Sequence, residues 1–242
     1  NGQTRPKGTR LVFPQIKKFR YQFNSIKEYG GFYRPYVTHD SEAKMNLQMM
    51  CLGKHWNPVD RIYEATRSDH DKLPVYPIPE NLQCAYISPH LLVSFTSDLT
   101  SSRREMCIRS VEVAQGLTEI PSMTPTAVIV NLYTENGRLG MHRDKTETEV
   151  TRQKGIPVVS FSIGDTGDFI YEVTSRGGPI EKTIQLKSGD CLIFGGASRM
   201  LRHSVSRIYP GTSPLPHIGG EEGTGGFSLR CGRLNLTFRE DG

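Results

Sequence analysis

The sequence predicts an α+β protein dominated by strands, with a sandwich or jelly-roll core, and three observations carry that expectation. From residue 126 onward, short β-rich runs recur at near-regular spacing between Gly, Asp and Ser turns. A single clear helix signal precedes them, at residues 101–115. No apolar run approaches the ~18 residues that a membrane helix needs, while the composition, 36% hydrophobic and 23% charged, is that of an ordinary globular domain.

In chain order, residues 1–10 read as a frayed tail. Residues 1–36 carry eight Lys or Arg against one acid, Glu28, whereas the rest of the chain is close to balanced within a net charge of +5. A basic arm on a near-neutral body suits a polyanion, and equally a solvated surface segment. Residues 41–80 mix Trp56, Tyr63 and Tyr76 with prolines and read as ordered loop and short hairpin. Ser102 and Glu105 have capping-box spacing, and Gly116 is placed to end the helix they open. Met106, Val113, Ala114 and Leu117 are its expected core face. The strand runs are 126–133, 157–163, 168–174, 182–186, 191–194 and 234–238, and the Gly- and Pro-rich stretch 209–226 reads as loop.

The five cysteines, Cys51, Cys84, Cys107, Cys191 and Cys231, are odd in number and lack CxxC spacing, which points to reduced thiols in an intracellular compartment, nucleus or cytoplasm first. The chain begins on Asn1 and reads as cut from a longer sequence, so targeting is left unread. A monomer without membrane attachment is expected.

Three polar features stand together. His142 and Asp144 are two apart, so on an extended segment both point the same way. His203 follows about 60 residues later. Two histidines and one carboxylate form the facial triad that holds non-haem Fe(II) with coordination positions open. The last strand alternates Leu234, Leu236 and Phe238 with Arg233, Asn235, Thr237 and Arg239. If the second face is buried, its arginines need an anion, because unpaired buried charge is strongly unfavourable. If it faces water, it is one side of an ordinary amphipathic strand.

The ordered blocks Asn131-Leu132-Tyr133, Gly137 to Lys145, Val158 to Gly164, Ser188-Gly189-Asp190, Phe194 to Arg199, His203 and Arg233 to Arg239 resemble the AlkB family of Fe(II)- and 2-oxoglutarate-dependent nucleic-acid dioxygenases, over about residues 126–240. Met49 to Lys54 with Trp56 resembles the start of the nucleotide-recognition lid in plant members. The resemblance implies a double-stranded β-helix with N-terminal helices and a lid, divided into an extension and lid over residues 1–125 and a catalytic core over 126–242. It implies iron on His142, Asp144 and His203. It also implies 2-oxoglutarate held by Arg239 near the metal and by Arg233 at the distal carboxylate, with Asn131, Tyr133 and Asn235 hydrogen-bonding to it. The implied reaction uses O2 and 2-oxoglutarate to remove an N-methyl group from a base in DNA or RNA, releasing formaldehyde, succinate and CO2.

For the nucleic acid, Trp56 and then Tyr63 are candidate stacking residues, and Lys54, Arg61 and Lys145 candidate phosphate contacts. Bacterial members carry an acid two residues after the iron-binding Asp. Thr146 stands there in this chain, followed by Glu147, which leaves open whether the base is cationic or the neutral N6-methyladenine. A 2-oxoglutarate-dependent hydroxylase of protein or small molecules is the alternative on the same fold.

Overall fold

The structure, a computed structural model, describes residues 34, 45–57, 62–64, 105–214 and 232–242. The expected N-terminal helices, the basic arm (Arg34 apart), Arg61, the expected Ser102 cap and residues 215–226 lie outside these.

Two antiparallel sheets form the body. The larger has strands in the order β1 (Gln48–Gly53), β4 (Ala127–Thr134), β11 (Gly232–Arg239), β6 (Val158–Gly164) and β9 (Cys191–Phe194). The smaller runs β5 (Leu139–His142), β10 (His203–Tyr209), β7 (Thr166–Ser175) and β8 (Gly178–Leu186). A separate hairpin pairs β2 (His55–Asn57) with β3 (Ile62–Glu64). This two-sheet arrangement is the expected jelly roll.

The larger sheet is buried on both faces. Leu234, Leu236 and Phe238 register against Leu132, Val130 and Val128 on one side and Ile163, Phe161 and Val159 on the other. These nine side chains, with Met50, make an all-apolar face on which Cys107 and Val111 of helix α1 (Glu105–Gln115) pack, and Phe161 meets Phe238 edge to face at 5.7 Å. The opposite face carries Arg233, Asn235, Thr237 and Arg239, and every residue of β11 is buried. The alternation was legible in the sequence. The structure resolves its two readings in favour of burial.

The smaller sheet closes over that polar face. Phe169, Leu186, Val205 and Ile208 cluster there with Leu47 and Tyr133. Val205 and Ile208 are three apart yet both buried, because a bulge between Val205 and Arg207 resets the alternation. That break in period explains why β10 is absent from the strands read in the sequence. β5 is short and contains a glycine, and α2 (Glu149–Gln153) is a five-residue helix capped by the Thr148 side chain, so both carry weak signals.

Two readings need correction. Residues 48–53, which the composition suggested as loop, form the outer strand of the larger sheet. The α1 face is Cys107 and Val111, one helical repeat apart, whereas Val113 is 51% and Leu117 87% exposed. Gly116 ends the helix as expected, its N–H donating to Glu112 and Val113 carbonyls.

Gly164 ends β6 at φ +94°, where an added Cβ would stand 2.5 Å from the Gly232 carbonyl oxygen. Strain of about 1–3 kcal/mol is expected at such a position. Gly164→Ala should therefore lower the urea midpoint of unfolding by at least that equivalent, and an unchanged midpoint would contradict the fit of β11 against β6.

Candidate metal and co-substrate site

The site opens between the sheets where β5, β10 and β11 come together. His142 and His203 are register partners across β5 and β10, so both side chains emerge on one face, with ring centroids 4.4 Å apart. Asp144 follows His142 by two residues and stays on that face. Its Oδ1 is 3.5 Å from His142 Nε2 and its Oδ2 is 3.9 Å from His203 Nε2. One ligand atom from each residue lies within 4.8 Å of the other two, so a single cation can be shared among them.

The imidazoles are aimed by backbone. His142 Nδ1 is 2.8 Å from the Gly140 carbonyl and His203 Nδ1 is 3.0 Å from that of Leu201. A carbonyl only accepts, so each Nδ1 carries the proton and each Nε2 lone pair points inward, the arrangement metal-binding histidines need. Phe169 stacks on the His203 ring at 5.1 Å, and Phe194 lies 5.2 Å away on a tilt.

The charges follow from burial and neighbours. Burial pushes the Asp144 carboxyl up, but Arg239 and the two histidines together hold it well below the usual carboxylate range. Burial lowers His142, yet the neighbouring Asp144 carboxylate and the Gly140 carbonyl turn the net shift upward. At His203 burial prevails and the shift is downward.

Behind the triad lies an unsatisfied polar wall. Arg233 is fully buried, and among the described residues its one hydrogen bond to a side chain runs from Nη2 to Ser162 Oγ, 2.8 Å. Among the described residues its Nε and Nη1 have no hydrogen-bond partner, nor do Asn131 Oδ1 and Arg239 Nε. The Tyr133 ring lies 5.5 Å from the Arg233 guanidinium. Desolvation lowers the Arg233 pKa, although Tyr133 and Asp190 partly counter it. A dianionic ligand entering here would find donors aimed at it and would relieve a buried, under-paired cation. The donor set therefore fits Fe(II) with a dicarboxylate.

Several expected residues stand elsewhere in function. Asn235 is engaged within the protein: Nδ2 donates to Ser160 Oγ and the Phe161 carbonyl, and Oδ1 accepts from Thr237. It supports the wall and has one Oδ1 lone pair to spare. Lys54 Nζ is bound to the Asp241 carboxylate, 3.4 Å, and to backbone carbonyls of Asp241 and Gly242, so it ties the end of β1 to the residues after β11. Tyr63 is buried with its hydroxyl 2.8 Å from Thr146 Oγ1, which suits an anchor and not an open stacking platform. Thr146 Oγ1 also accepts from Arg239 Nη1. Glu147 is buried between Arg199 and Arg239 and does not face a base. Lys145 is exposed beside Asp144. Trp56 lies in β2 opposite Tyr63, with its ring outside the described atoms. Ser160, Ser162 and Arg199 were not singled out as site residues. The serines alternate along β6 beside β11, which is the signal that could have found them.

A jelly roll with two histidines and a carboxylate at one opening and under-paired arginines behind them is the architecture of an oxygenase that uses iron and a 2-oxo acid. The comparisons bear on the same class. The family model of the 2OG-Fe(II) oxygenase superfamily matches residues 13–239. The solved structure of OsALKBH1 covers 99% of both chains at 32% identity, with a TM-score of 0.68. Arabidopsis thaliana DNA N(6)-methyladenine demethylase ALKBH1C is 40% identical over 87% of this chain and 42% of its own length. The Escherichia coli alpha-ketoglutarate-dependent dioxygenase AlkB is 28% identical over 60% of this chain and 56% of its own. The chain belongs to the 2OG-Fe(II) oxygenase superfamily, as a plant-like member of its AlkB family. It spans less than half the length of the Arabidopsis relative.

Burial pushes the Tyr63 and Tyr133 phenols up to about 12, against about 10 in an unfolded chain. Above the unfolded value the unfolded state loses protons that the fold retains, so stability should fall as pH rises from 10 towards 12. Urea midpoints at about pH 9 and about pH 11 should show the drop, and Tyr133→Phe should shrink it. An equal drop in the variant would count against a buried neutral Tyr133.

Proposed function

We propose that this protein is an Fe(II)- and 2-oxoglutarate-dependent oxidative demethylase of N-methylated bases in nucleic acid, with N6-methyladenine or 1-methyladenine as substrate. The carrying observation is the fully buried Arg233 guanidinium with two unpartnered nitrogens, facing the same interior as the histidine and carboxylate cluster. A metalloprotein with no anionic co-substrate has no use for it.

His142 and His203 give their Nε2 lone pairs and Asp144 a carboxylate oxygen to the metal. Arg233, whose Nε and Nη1 lack hydrogen-bond partners among the described residues, would hold the distal carboxylate of 2-oxoglutarate, beside Asn131 and Tyr133. Arg239 takes the near one, since it borders Asp144. Bound there, iron and 2-oxoglutarate would supply the oxidising chemistry that, with O2, turns the co-substrate into succinate and CO2 and an N-methyl group into formaldehyde. Phe169, Phe194 and Val205 keep water from the inner wall, and the hydrogen-bonded Nδ1 atoms hold the two imidazoles in one tautomer throughout.

A base inside a duplex must be extruded, or begin unpaired, to reach this depth. Trp56 on the β2–β3 hairpin is the candidate platform, and Lys145, with Arg61 and the basic residues of 1–36, the candidate phosphate contacts. Thr146 and Glu147 are both committed to protein partners. Thr146 carries no carboxylate, and that of Glu147 is buried and ion-paired to Arg199 and Arg239, which supports the neutral N6-methyladenine ahead of 1-methyladenine. Relatives bear names in this class: two from Arabidopsis are called DNA N(6)-methyladenine demethylases, and one from Schizosaccharomyces pombe a tRNA demethylase.

Formaldehyde release with iron and 2-oxoglutarate, across DNA and RNA oligonucleotides bearing N6-methyladenine, 1-methyladenine or 3-methylcytosine, tests the reading. Turnover on at least one is expected, highest for N6-methyladenine. Succinate formation without conversion of any oligonucleotide would move the substrate to protein or a small molecule. Arg239→Ala should abolish 2-oxoglutarate binding to the manganese-loaded protein while metal binding persists, and calorimetric titration giving near-normal affinity would refute its assigned contact.

A further inference from the structure

Arg239 approaches Asp144 with only half of its fork. Nη2 lies 2.5 Å from Asp144 Oδ1, while Nη1 turns away to Thr146 Oγ1, 2.6 Å, and to Glu147 Oε1, 3.5 Å. A guanidinium facing a carboxylate normally closes on both oxygens. Such a closure would cover Oδ2, the oxygen that faces His203. Here Nη1 is held away from Asp144 by its hydrogen bond to Thr146 Oγ1 and by the charge of Glu147, whose oxygens make no hydrogen bond among the described residues. Glu147 is in turn ion-paired with Arg199, whose Nη2 is 2.8 Å from Glu147 Oε2. Arg199 also donates from Nη1 to the Asp144 carbonyl, 2.7 Å, and is itself buried. The contacts close a ring: Arg199 to Asp144, Asp144 to Arg239, Arg239 to Glu147, and Glu147 back to Arg199.

We propose that Glu147 and Arg199 are positioning residues that keep Arg239 from closing on both oxygens of Asp144, and so reserve Asp144 Oδ2 for the metal. The inference rests on reading the triad as a metal site, and it needs neither oligonucleotide nor turnover to be tested. Two oppositely charged groups buried together without solvent access are otherwise a costly element in a core. Positioning explains why this pair sits against the loop that carries the carboxylate ligand.

The experiment is Mn(II) titration followed by electron paramagnetic resonance, without 2-oxoglutarate, on wild type, Glu147→Gln, Arg239→Ala and the double variant, with thermal midpoints measured on each. Glu147→Gln should weaken Mn(II) binding about 10- to 100-fold, as loss of a group that orients a metal ligand does. In the Arg239→Ala background the same change should have little further effect, because no guanidinium remains to compete for Asp144. Arg199→Lys, which keeps a charge but loses the fork, should weaken Mn(II) in the same direction as Glu147→Gln. A lower midpoint with unchanged Mn(II) affinity in Glu147→Gln would make the pair merely structural and overturn the proposal. An equal loss in both backgrounds would overturn its mechanism through Arg239. Absence of Mn(II) binding in wild type would overturn the metal-site reading along with it.

Discussion

The ion pair between Arg239 and Asp144 is the constraint around which the site is built. Asp144 must carry a charge where water is scarce, and burial alone would push its carboxyl towards the neutral form. Arg239 reverses that, and Asp144 and its neighbours raise the Arg239 pKa in return, against the opposing pull of desolvation. A charged carboxylate is thereby available to a cation before any cation arrives. The same guanidinium stands at the end of β11, so the register of one strand sets both the electrostatics of the metal ligand and the place where an anionic co-substrate can approach.

β11 can do this because it is central and two-faced. Flanked by β4 and β6, it satisfies its backbone groups in two ladders, which lets both faces be dry. One face spends its burial on Leu234, Leu236 and Phe238 and anchors the sheet against α1. The other spends none of it on packing alone: Thr237 orients Asn235, Asn235 braces Ser160, and Arg233 leans on Ser162 and Tyr133. The apolar face supplies the rigidity that an under-satisfied polar face requires, since a half-paired polar network in a soft core would collapse onto itself.

How far this was legible depended on whether a signal was local. The period-2 alternation of 233–239 is local, and it gave both faces of β11 correctly. His142 and Asp144 are local, and their shared face held. By contrast β10 hides behind a bulge, and β1 owes its strand state to pairing with β4, about eighty residues away, not to its own composition. The fates of Lys54, Tyr63 and Glu147 were equally out of reach: each looks like an available surface group until a distant segment claims it, the C-terminus for Lys54, Thr146 for Tyr63, and Arg199 for Glu147. Charge in a sequence is a supply. Which charges remain unspent is decided by tertiary pairing.

That distinction carries the functional argument further than the motif does. A histidine and carboxylate cluster by itself is compatible with many metal reactions. Polar atoms with no partner are more selective, because folding leaves them so only where a ligand completes them or where strain is tolerated. Among the described residues such atoms also occur on Glu147, Asp165 and Arg199, but four of them lie together. Arg233 Nε and Nη1, Asn131 Oδ1 and Arg239 Nε all belong to the inner face of β4 and β11, on the side where the metal cluster opens. Three donors carried by two cations on one dry wall describe an anion with separated charges more closely than they describe water. That wall fixes the kind of co-substrate the site can hold.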